Sequence, residues 1–305
     1  MSKIIAVIGA TGAQGGSVAN EFLKLDGWKV RAITRNASSD KAKALQSQGA
    51  EVGATVIFAV TSFFEVLFRV AKGSPNEAAV KEAELAEIIA RAASRTSSLE
   101  HYIWSTLPSA KAKSNGKLPV PHFDGKAEAD EWIKSDLPDL HKKTTYLMVG
   151  FYPNNIASIP GLKPVEFPGS RKWIQMLPTP ASTMIAVSGD IRVTPGVWTR
   201  QIVAKPELTK GKYTSIGPET LSYGRMLAIY GEVTGRQTAF IQISVQDCVK
   251  LWGVAGKELA DQLAFNECSP RAWESPDYVS KEELEIKDDE WPGLKETLES
   301  LKDQL

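Results

Sequence analysis

The chain predicts a doubly wound α/β fold, a parallel sheet with helices on both faces, followed by a smaller C-terminal α+β lobe. Three observations predict it. An unbroken apolar run, Ile4 to Ile8, opens into a glycine-spaced turn, Gly9 to Gly15, and then into a helical pattern with Val18, Phe22 and Leu25 on one face. Apolar strand-like runs then alternate with helical stretches as far as Gly150. Beyond that point the pattern is less regular and rich in prolines and turn glycines.

Composition narrows the class. Of 305 residues, 43% are hydrophobic and 24% charged, as in ordinary soluble globular proteins. Thirty-six basic residues balance 36 acidic ones, which argues against direct nucleic-acid binding. Two cysteines, Cys248 and Cys268, indicate a reducing compartment, and the three histidines show no metal-ligand spacing. The N-terminal apolar run is read as a strand and not a signal peptide. Ala54 to Ala71 is interrupted by Thr61, Ser62, Glu65 and Arg69, so a strand and a helix are expected there, not a membrane span. The expected location is the cytoplasm, with the nucleus as a further site.

Each element has its reason. In the first turn Gly9 allows a tight bend, Gly12 a close backbone approach to a pyrophosphate, and Gly15 close packing of helix on strand. The following helix start offers free N–H groups and a positive dipole end. The second strand, Val30 to Thr34, runs into Arg35-Asn36 where an NAD-preferring loop would carry an acidic residue. Arg35 suits a 2′-phosphate, so NADP(H) is the expected cofactor; a solvated surface arginine is the other reading. A helix over 40–48 follows. Val52 and Thr55 are then separated by only two residues, too few for a crossover between parallel strands. The usual third strand and its helix are therefore expected to be missing. Residues 50–60 should form one strand, with helix 40–48 on the sheet face opposite the first helix.

The aromatic segment Phe63 to Arg69 is expected at the cofactor mouth. Helix 77–94 shows a stripe of Val80, Leu85, Ile88 and Ile89 read as its core face. Strand 101–104 ends at Ser105, residues 109–117 read as a loop, and Pro121 to Lys126 opens a helix on which Asp124 favours the dipole. Strand 144–149 leads to Gly150-Phe151-Tyr152-Pro153-Asn154-Asn155, a turn out of the sheet. Residues 1–152 are read as the nucleotide-binding domain, with a later return near 185–205, and 153–305 as mostly the smaller lobe. Within the lobe, helices are expected at 223–234 and 246–251 and a strand at 239–244. Ser280 with Glu283 forms a capping-box pattern for an acidic, solvated helix.

The helix after the Ser105 strand is where a Tyr-x-x-x-Lys pair would serve hydride transfer, and no tyrosine here has Lys four residues on. His122-x-x-x-Lys126 stands there instead, its members on one helix face. Ser105, His122 and Lys126 are the candidate catalytic set, with His122 the proton donor. A loop histidine beside a ribose-binding lysine is the alternative.

GATGAQGG, Thr34-Arg35-Asn36, HFDGK and GFYPNN together resemble the NmrA-like family of atypical short-chain dehydrogenases, which is similar to the isoflavone-reductase-like enzymes. The resemblance covers nearly the whole chain and is strongest over residues 1–160. It implies a Rossmann domain of strand order 3-2-1-4-5-6-7, a small C-terminal lobe and NADP(H) binding. Carried over, Gly9, Thr11, Gly12, Ala13, Gln14 and Gly15 would hold the pyrophosphate. Arg35, beside Asn36, would hold the 2′-phosphate. Lys126 would lie near the nicotinamide, and Phe151, Tyr152 and Asn154 would frame the cleft. The chain departs from the family between Val52 and Thr55. Two functions compete. One is an NADPH-dependent reductase of a small apolar carbonyl or enone, with an aromatic mouth of Phe63, Phe64, Phe151, Tyr152 and Trp173. The other is a non-catalytic NADP(H) redox sensor that regulates a protein partner. Neither involves a membrane, and the oligomeric state is left open.

Overall fold

The structure is a computed structural model that describes residues 3–34 and 54–305. The expected doubly wound sheet is present. Its strands are β1 (Lys3–Ile8), which leads into helix α1 (Ala13–Phe22), then β2 (Trp28–Ile33) and β3 (Val56–Ala59). Helices α2 (Phe63–Arg69) and α3 (Pro75–Ser94) precede β4 (His101–Thr106), and α4 (Pro121–Asp136) precedes β5 (Thr144–Val149). The C-terminal lobe holds β6 (Val165–Phe167), β7 (Lys172–Leu177) and β8 (Met184–Val187). Helix α5 (Thr194–Ala204) and β9 (Tyr213–Ile216) return to the main sheet. Then come β10 (Glu219–Ser222), α6 (Tyr223–Thr234), β11 (Gln237–Gln242), α7 (Val245–Cys268) and α8 (Leu294–Ser300).

The main sheet runs β2-β1-β3-β4-β5-β9, parallel throughout. Strand side chains alternate between two covered faces. Ile5, Val7, Phe58, Ile103 and Leu147 pack with α1 and α5, while Ala6, Ile57, Tyr102, Trp104 and Tyr146 pack with α3 and α4. Among the described residues no strand flanks β2, so the order implied by the resemblance lacks its first member here. The expected helix 40–48, the start of strand 50–60, and Arg35 and Asn36 lie outside the described residues. Of the expected strand 50–60, the described part in strand is Val56–Ala59.

Four local expectations are corrected. On α3, the buried face is Ala78, Glu82, Ala86, Ala90 and Ala93, whereas Val80, Leu85 and Ile88 are 53, 44 and 63% exposed. The cause is close approach: a Cβ on Gly125 of α4 would lie 2.8 Å from the Ala79 carbonyl oxygen, so small residues face the neighbour. The 109–117 segment contains a helical turn, Ala110–Lys113, capped by Ser109. Asp124 holds it, accepting from the backbone N–H of Lys111 and Val120, each at 2.8 Å. Helix α7 does not stop at Leu251; it breaks at Gly253 and resumes to Cys268. Finally, Ser280 and Glu283 make their reciprocal bonds, yet no α-helix follows. Leu284 and Ile286 are drawn into the main core, and Glu285 adopts φ 58°.

The lobe has its own core, centred on Leu177, Ile185, Val187, Tyr223, Tyr230 and Leu263. Trp173 belongs to its β11-β7-β6 sheet, where the Arg236 guanidinium lies 3.6 Å from its ring centre, instead of serving as a mouth residue. No described helix is long and apolar enough to cross a membrane.

Asp130 of α4 is buried and accepts from Trp104 Nε1 at 2.8 Å, Thr106 Oγ1 at 3.0 Å and Tyr213 OH at 2.9 Å. Burial pushes its carboxyl up to about 7, against these bonds. The folded state therefore holds a proton that the unfolded chain releases near 3.8, and its stabilising contribution is lost as pH rises through about 7. Asp130→Asn mimics the protonated group. Its stability relative to the parent should rise by a few kcal/mol between about pH 4 and about pH 8 in urea titrations, and a constant difference would refute this.

Candidate functional site

The site lies at the carboxyl ends of the strands, where the order reverses between β1 and β3. Gly9 ends β1 with φ 75°, a conformation that disfavours a side chain. Gly12 N–H donates to the Gly9 carbonyl at 2.8 Å and closes the turn. A Cβ on Gly15 would lie 2.4 Å from the Gly9 carbonyl oxygen, so α1 meets the loop at a distance only glycine permits. Ala13, Gln14 and Gly15 stand in the first turn of α1, where backbone N–H groups have no intrahelical acceptor. Thr11 Oγ1 lies 3.2 Å from Thr34 Oγ1, tying the loop to the end of β2.

The candidate residues separate into three networks. In the first, Ser105 at the end of β4 donates to Gln14 Oε1 at 2.8 Å, and Gln14 Nε2 donates to Tyr152 OH at 3.0 Å. Burial holds the Tyr152 phenol far above its ordinary range, so it stays protonated. The loop, β4 and the exit from β5 are thus joined by side chains. Ser105 does not hydrogen-bond to His122 or Lys126.

The second network surrounds Lys126. Its ammonium donates to Thr61 carbonyl oxygen at 3.1 Å, Thr61 Oγ1 at 2.7 Å and Glu82 Oε1 at 2.8 Å. An ammonium has three donors, so all three are committed within the protein. Glu82 comes from α3 and is fully buried. The third network is His122 with Glu258 of α7, Nδ1 to Oε2 at 3.0 Å. The Phe63 and Phe64 ring centres each lie 5.6 Å from the imidazole, and Phe123 lies 4.7 Å away. His101 is a core residue, bonded to Thr145 and pushed down to about 3 by burial.

Two of the cleft-framing residues have structural partners. Phe151 meets Tyr223 edge-on in the lobe core. Asn154 donates to Asp190 at 3.1 Å and accepts from the Ile191 N–H at 3.0 Å. Sequence reasoning missed Glu82, Glu258 and Thr61. Glu82 left a signal, since it shares four-residue spacing with Ala78, Ala86 and Ala90. Glu258, 136 residues from His122, left none.

The NmrA-like family model matches residues 1–269. The chain belongs to the NmrA-like family. It is 25% identical over 290 residues to the NmrA-like family domain-containing oxidoreductase cpsB of Aspergillus campestris, covering 85% of this chain and 80% of that one. It is 36% identical over 142 residues to an NmrA-like family domain-containing protein of Dictyostelium discoideum, covering 44% of this chain and 46% of that one. The match thus spans under half of the Dictyostelium relative. Among solved structures, NmrA, a negative transcriptional regulator, in complex with NAD superposes with TM-score 0.77 at 20% identity, over 99% of this chain and 96% of that one. The NADPH-dependent quinone oxidoreductase QOR2 of Escherichia coli, complexed with NADPH, gives 0.68 at 18%, over 97 and 99%. At these identities the likeness is one of fold. Within that NmrA-like fold, the glycine loop and the three networks all border the carboxyl ends of the strands.

Proposed function

We propose that this NmrA-like chain is an NADPH-dependent reductase of a small, largely apolar carbonyl or enone. The observation that carries the reading is His122: an imidazole bonded to a carboxylate through one nitrogen, set among Phe63, Phe64 and Phe123, four residues before Lys126. A histidine so placed is the type of group that serves as a general acid.

The residues fit the cofactor. Gly9 to Gly15 form a cradle that a Cβ at Gly15 would disrupt, and the start of α1 supplies unpaired amides for a pyrophosphate. Thr11, Gly12, Ala13 and Gln14 line this loop. The bound nicotinamide would supply hydride. The chain's own part is to bind the phosphates, exclude water with the aromatic segment of α2 and α4, and deliver a proton from His122. Lys126, its charge met by Glu82, holds the start of α4 against Thr61 and α3.

Arg35 is the proposed partner of the 2′-phosphate. Arg35→Ala should cost about 1.5–3 kcal/mol for NADPH, as for a hydrogen bond to a charged group, and little for NADH. Calorimetry with both cofactors tests this, and equal losses would remove the assignment. Turnover is tested by NADPH oxidation across a panel of enones, aryl ketones and quinones.

One observation favours a second reading, a cofactor-sensing regulator of a protein partner. Lys126 has no donor left over for a substrate. Micromolar NADPH binding with no turnover across the panel would select it.

A further inference from the structure

We propose that Glu258 is a positioning residue for His122, fixing which ring nitrogen releases the proton. This rests on the reductase reading and deepens it.

Glu258 is 1% exposed, and its carboxylate meets His122 Nδ1 at 3.0 Å. A carboxylate accepts and does not donate, so the hydrogen between them sits on Nδ1. The neutral ring is then the Nδ1–H tautomer, and in the charged ring the transferable proton is on Nε2. Bound NADPH would supply the hydride of the new C–H bond and would be left as NADP⁺. The carbonyl π pair moves to oxygen, which takes the Nε2 proton. For an enone reduced at its conjugated carbon, the enolate carbon takes that proton instead. His122 ends neutral, still bonded to Glu258 through Nδ1–H, and solvent water returns its proton. A charged ring with so little exposure calls for a counter-charge, and Glu258 supplies it.

The fold explains how Glu258 arrives. Helix α7 breaks at Gly253, and Val254 packs against the cluster of Phe63, Val66 and Leu67. Glu258 is four residues on, on the same helix face, and the Phe63 ring also flanks His122. Lys257 and Asp261 pair on the outer side of the helix and leave Glu258 to the interior. The C-terminal lobe thereby contributes a side chain to the site.

The test is ¹⁵N NMR of the imidazoles, simple in a chain with three histidines, with His122→Gln to assign the signal. The expected parent signature is Nδ1–H. Glu258→Leu, close in volume, should shift the ring toward the Nε2–H tautomer that an unpartnered histidine side chain favours. It should lower kcat by roughly 10²-fold, the lower end for a lost general acid, with KM and NADPH affinity nearly unchanged. Glu258→Gln keeps an acceptor oxygen without the charge, so it should keep the Nδ1–H signature and fall between the two in kcat. An Nε2–H signature in the parent, or an unchanged tautomer in Glu258→Leu, overturns the pairing whatever the activity. An Nδ1–H parent with no turnover on any substrate overturns the reductase reading, and with it the catalytic role of Glu258. Unchanged kcat in an active Glu258→Leu enzyme overturns the positioning role alone.

Discussion

His122→Gln should lower kcat by about 10²–10⁴-fold while NADPH affinity stays nearly intact. Glutamine preserves much of the ring's volume and can still hydrogen-bond to Glu258, so the aromatic setting of Phe63, Phe64 and Phe123 is retained. What it removes is the ring nitrogen that would donate the proton. Single-turnover measurement of NADPH oxidation isolates the chemical step from product release. Reduction at the parent rate would show that the proton comes from elsewhere, and Ser105 would become the next group to replace. Tyr152 is a weaker candidate, because burial makes its phenolate form costly.

Lys126→Met should cost about 3–5 kcal/mol of stability, the range for removing one partner of a buried pair. The Lys126 side chain is 10% exposed and that of Glu82 is fully buried, so water cannot take over the lost contacts. The variant leaves the buried Glu82 carboxyl with only the Thr61 hydroxyl as a donor. Combining Lys126→Met with Glu82→Met should restore much of the loss, because both charges then leave the interior. Urea midpoints of the two single variants and the double variant decide the matter. A Lys126→Met protein as stable as the parent would mean that the pair does not hold α3 against α4. Cofactor affinity should change less than stability, because the lysine's donors are committed within the protein.

The parts of the fold that were legible in the sequence are those in which neighbours along the chain make the structure. The glycine turn could be read at Gly9, Gly12 and Gly15 because tight bends and close approaches restrict residue type locally. The buried strands could be read because a sheet covered on both faces asks for continuous apolar runs. Helix 223–234 has the same bounds in sequence and structure, with its Ser222 cap and Gly235 stop written into the chain.

Structure departs from sequence pattern where packing partners are distant. Side-chain size predicts an apolar stripe on α3, but the neighbouring helix comes so near that alanines and one glutamate face it. The Ser280–Glu283 pattern formed its bonds without a helix, since burying Leu284 and Ile286 outweighed the local tendency.

By itself, then, the sequence determined the parallel α/β class, the tight glycine turn at Gly9 to Gly15 and the presence of His122 and Lys126 on one helix face. Only the tertiary structure decided what those two side chains do. Thr61 and Glu82 take every donor of Lys126, and Glu258 takes one nitrogen of His122. The reason is physical. A short-range pattern sets backbone conformation, whereas a buried charge finds its partner wherever the fold brings an acceptor within 3 Å, here across 44 and 136 residues of chain.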